Sequence, residues 1–142
     1  MDEPKPSATP EPPERVLARQ LMADKERAIG LYSALIAKGG ARLTPFRDRH
    51  QAHLNELRRR FPGVPPSPAA PPPASGSPAP TPSAPQAGAA PVVTLSRLRD
   101  LERRSAALRT RQLAGIPPAF AQLVASIGAC EAAHAMALPR SL

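Results

Sequence analysis

The chain's three histidines each stand three residues from another group able to bind a metal. His50 pairs with His53, and Glu131 pairs with His134. On a helix, an i, i+3 pair puts both side chains on one face, as chelation from a helix requires. Imidazoles with carboxylates suit Zn, Fe, Cu or Ni better than Mg or Ca. Burying such groups among aliphatic side chains is costly unless each finds a partner. The pattern therefore predicts either a metal ion or a closed polar network. Other chemistries have less behind them. Gly39-Gly40 is too short for a phosphate loop and serves better as a helix stop. Cys130 and His134 stand at i, i+4, but the sequence offers no third orienting group, and apolar surroundings raise a thiol's pKa.

The elements that would position these groups are helical. The 142 residues include no Trp, one Tyr and three Phe, so the core is built from Leu, Ala, Ile and Val. That composition favours helices over sheets. Twelve of the 21 prolines fall in residues 62–91. This stretch is expected to be a disordered, polyproline-like linker able to reach ~90 Å. A proline-rich tail over 1–13 is expected to be disordered as well. Two helical hairpins remain, over 14–61 and 92–142.

Hairpin one holds helices from Glu14 to Lys38, stopped by Gly39-Gly40, and from Thr44 to Phe61, with Thr44 as N-cap and Pro45 in the first turn. Hairpin two holds helices from Thr94 to Gly115 and from Pro118 to Leu138. Short connections within each hairpin make its helices antiparallel neighbours. Each hairpin has one apolar face and needs the other to cover it. At 100° per residue, Phe46, His50, His53, Leu54, Leu57 and Phe61 share one face of the second helix. Phe120, Leu123, Ile127, Glu131, His134 and Leu138 share one face of the fourth. Glu102 lies on the leucine side of the third, between Leu98 and Ser105.

This layout resembles the ferritin-like superfamily, the four-helix bundles that include bacterioferritin and rubrerythrin. There, helices one and three each give a Glu, helices two and four each give Glu-x-x-His, and a long crossover joins two and three. Glu131-Ala-Ala-His134 matches the fourth-helix motif, His50-Gln-Ala-His53 stands at the second with His for Glu, and Glu102 fits the third helix. In the family the first-helix Glu lies seven residues before an inward Tyr. Counting back from Tyr32 reaches Lys25, which projects near the centre of the apolar side. Asp24 lies at its edge and Glu26 outward. The resemblance implies metal ligands His50, His53, Glu102, Glu131, His134 and Asp24, with Lys25 and Tyr32 behind them. Two ions want about four carboxylates. With Lys25 opposing them, one transition metal is expected, iron or zinc first among the candidates. The residues specify no reaction. The alternative expectation is a non-catalytic helical interaction module with a metal-free inward network.

The formal charge of +8 raises nucleic acid as a partner. However, Arg58, Arg59, Arg60, Arg97, Arg99, Arg103, Arg104 and Arg111 scatter over several faces without aromatic stacking groups. They are expected to be a solvated surface, so a metal ion, a protein partner or a second copy is the expected partner, and nucleic acid is not. No window is apolar enough to span a bilayer, and the first 13 residues lack a signal-peptide core. The chain as written is expected in the cytoplasm, with export left open if a leader precedes it.

Overall fold

The computed structural model describes Pro4, residues 6–65 and residues 92–142. Most of the expected linker, residues 66–91, therefore lies outside the described residues, as do residues 1–3 and 5 of the tail. The described residues hold four α-helices and no strand: α1 (Pro13–Ala37), α2 (Thr44–Arg60), α3 (Leu95–Gln112) and α4 (Pro118–Ala137). A single 3-10 turn, Ala41–Leu43, precedes α2.

Proline sets the starts of α1 and α4. Pro12 and Pro117 each precede another proline, which forces an extended backbone, with ψ of 139° and 145°. The following Pro13 and Pro118 then fit the first helical turn, where no N–H is needed. α3 lacks that proline and uses a side chain instead. Thr94 Oγ1 accepts from the Arg97 N–H at 3.1 Å, satisfying one of the helix's unpaired donors. The expectation for Thr44 fails. The 3-10 turn brings Leu43 in already near-helical, at φ −85° and ψ −8°, so Thr44 is the first helical residue and caps nothing. α1 stops as expected: Gly39 takes φ +106°, and Gly40 N–H turns back to the Leu35 carbonyl at 3.0 Å. That left-handed turn strongly favours glycine.

α1 packs on α2, α3 packs on α4, and α1 also touches α3. Lys25 meets His50, and Tyr32 stacks on Phe46. Likewise Arg99 reaches the Leu138 and Pro139 carbonyls, and Arg109 meets Glu131. Two apolar clusters form the core. One joins Leu17, Leu21, Leu54, Leu57, Val124 and Ile127. The other joins Tyr32, Leu35, Leu43, Leu98 and Leu138. Each draws residues from both sides of the linker. Between them along the helices lies a buried polar layer of Lys25, His50, Glu102, Arg109, Glu131 and His134.

Candidate metal centre

Glu102 is the hub of this layer. One oxygen, Oε1, accepts from the Tyr32 hydroxyl at 2.5 Å and lies 2.7 Å from His50 Nε2 and 3.2 Å from His134 Nδ1. Burial pushes the Glu102 carboxyl up, but the hydrogen bonds of His134 and His50 do most to hold it at about 2. Burial lowers the His50 pKa, although Glu102 works against that. The His50 ring is therefore neutral beside an ionised carboxylate. Burial, then the charge of Glu102, raises the Tyr32 hydroxyl above the usual phenol range. Ligand atoms of His50, Glu102 and His134, all buried, lie within 4.8 Å of one another. This group could hold a metal ion.

The other inward carboxylates already have cations. Lys25 Nζ donates to Glu131 Oε1 at 2.6 Å and lies 3.2 Å from His50 Nδ1. Burial lowers the Lys25 pKa, and Glu131 opposes the shift. Arg109 grips both oxygens of Glu131, at 3.0 and 3.1 Å, and reaches Asp24 Oδ2 at 3.1 Å and Gln112 at 3.0 Å. A guanidinium has five N–H donors, and each has an acceptor here. Two buried cations thus stand against Glu131 and Asp24, which reduces the need for an ion at that end.

Of the residues expected at the site, the structure brings His50, Glu102 and His134 together. Asp24 and Glu131 are tied to Arg109 instead, and His53 stands outside the group. The His53 Nδ1 atom is buried without a hydrogen-bond partner. Burial, followed by the charges of Lys25 and His50, lowers the ring's pKa to about 4. Lys25 contacts His50, and Tyr32 donates to Glu102. Cys130 Sγ lies 3.4 Å from His134 Nε2, and burial raises the thiol's pKa.

Arg109 is the residue that sequence reasoning missed. Two signals were present. It lies seven residues after Glu102, on the same face, and Gly128 lies three before Glu131. A Cβ on Gly128 would sit 2.9 Å from Arg109 Cβ, so glycine there makes room for the arginine stem.

Compared with known proteins, the chain matches no protein-family model, no curated protein and no solved structure.

Proposed function

We propose that the chain is a ferritin-like four-helix bundle of two antiparallel hairpins that binds one transition-metal ion, iron or zinc, through His50, Glu102 and His134. The observation that carries this reading is the convergence of those three buried ligand atoms within 4.8 Å. Support for one ion rather than two comes from Lys25 and Arg109, whose charges already answer Glu131 and Asp24.

The protons must rearrange for an ion to enter. His134 can offer Nδ1 by placing its ring proton on Nε2, toward Cys130. His50 can offer Nε2 only by moving its proton to Nδ1, where Lys25 lies. The Lys25 ammonium must then give up its 3.2 Å contact with that nitrogen and keep Glu131. A metal ion competes with protons for the two imidazoles, so binding strengthens as pH rises. The ion would supply Lewis acidity or, as iron, redox chemistry, while the protein supplies a buried, preset ligand group.

Mass spectrometric metal analysis of chain purified without a histidine tag tests the proposal. The expected result is about one ion per chain, lost in His50→Ala or His134→Ala and kept in His53→Ala. Metal-free protein whose melting temperature ignores added Fe, Zn or Cu would sink it.

The complete set of acceptors around Arg109, with Lys25 on His50, favours a second reading: a metal-free network inside a non-catalytic interaction module. Replacing His50, Glu102 and His134 together by Leu, Met and Leu would then leave the melting temperature equal or higher. A requirement for metal would show instead as a collapse of the fold on chelation.

A further inference from the structure

A cavity of about 160 Å³ runs from the polar layer toward the surface between α1 and α3. Its inner end is lined by Lys25, Glu102, Arg109 and Glu131, all buried. At its outer end stand Arg27 and Arg104, both exposed. Aliphatic surface from Ala28 and Leu101 completes the walls. A water molecule's share of liquid volume is about 30 Å³, so the space suits a solute of only a few non-hydrogen atoms.

The charges around this space are not matched. Four cationic side chains line it against the carboxylates of Asp24, Glu102 and Glu131. Asp24 and Glu131 are occupied by Arg109 and Lys25. Glu102 turns one oxygen to Tyr32, His50 and His134. Arg27 approaches Asp24 only loosely, at 3.9 Å, and Arg104 donates to none of the described residues. Lys25 has three N–H donors, of which Glu131 and His50 engage two. One ammonium donor at the inner end and two guanidinium groups at the outer end thus lack a close acceptor among the described residues. Guanidinium matches a carboxylate with paired hydrogen bonds.

We propose that this cavity binds a small carboxylate monoanion, of formate or acetate size, between Lys25 and the Arg27–Arg104 pair. The cavity shares His50 and Glu102 with the proposed metal centre, so the anion is tested on metal-free protein.

The test is a chemical-shift titration of the full-length, chelator-treated protein with formate and acetate, at constant ionic strength in chloride. Saturable shifts are expected at the amides around Ala28 and Ser105. The Arg27→Gln, Arg104→Gln pair, both exposed and tolerable for folding, should weaken binding about ten-fold. Lys25→Met should weaken it further, with circular dichroism to verify its helicity. Shifts that never saturate overturn the proposal. So does an equal loss in a distant control pair, Arg58→Gln and Arg59→Gln, or no loss in the Arg27 and Arg104 variants. Because metal has been removed, failure here leaves the metal reading standing, and failure of metal binding leaves this result intact.

Discussion

At the scale of single residues, Arg109 is the side chain whose loss the structure punishes most. All five of its donors are accepted, and both carboxylates it holds depend on it. Arg109→Leu should lower unfolding free energy by about 3–5 kcal/mol in urea titrations, because Glu131 keeps its charge in a dry interior with only Lys25 left. Arg109→Lys should rescue little, since an ammonium cannot reproduce the planar fork. Protons give a second prediction. The His53 pKa is depressed to about 4 in the native state, so below its ordinary value of 6.5 the unfolded chain binds a proton that the folded one refuses. Stability from this group is full above pH 6.5 and is lost as pH falls toward 4. Glu102, held at about 2, adds a lower limb. Its contribution, roughly 3 kcal/mol, is complete above pH 4.5 and disappears toward pH 2. Melting temperature should therefore begin to fall below pH 6.5. His53→Gln should shrink that upper limb, leaving the part due to His50, which is shifted in the same direction. The inward histidines, Glu102, Glu131 and Lys25 were legible in the sequence because helical periodicity alone assigns a face. Arg109 was passed over, because an arginine on a helix is normally solvated, and its place on the Glu102 face gains meaning only beside its acceptors from α1, α3 and α4.

Helices and their ends form the next scale, where the close approach of α3 and α4 can be probed directly. Gly128→Ala puts a methyl 2.9 Å from Arg109 Cβ, and relief requires the arginine stem or α4 to shift. Overpacking of this kind typically costs about 1–3 kcal/mol. A chemical denaturation midpoint below that of the parent chain is the expected outcome. The extent of the helices followed from proline and glycine punctuation, and the structure differs by one residue or none at each end except the C-terminus of α3, which stops at Gln112, three residues before Gly115. The start of α2 was the exception. A Thr-Pro pair signals an N-cap, yet the 3-10 turn over Ala41–Leu43 had already bent the chain into helical geometry. No local signal in Ala-Arg-Leu announces that turn. It arises where Leu43 is drawn fully into the core beside Leu35 and Leu98.

For the molecule as a whole, both apolar clusters and the polar layer draw on each side of the linker. Separately produced fragments 1–65 and 92–142 should each show little helix, because each would expose half of Leu17, Leu54 and Ile127's shared cluster to water. Mixing them should restore helical circular dichroism. Helicity in either fragment equal to its share of the intact chain would refute this. The interior ions also limit how the pieces can be put together. Leucine seams are forgiving, since a slip of one helical turn, about 5.4 Å, exchanges one aliphatic neighbour for another. The ionic layer forgives no such slip: α1 displaced by a turn would carry Lys25 off Glu131 and strand both among hydrocarbons. Misaligned dockings that the greasy surfaces would accept are thereby rejected, and the protein gains a single indexed assembly.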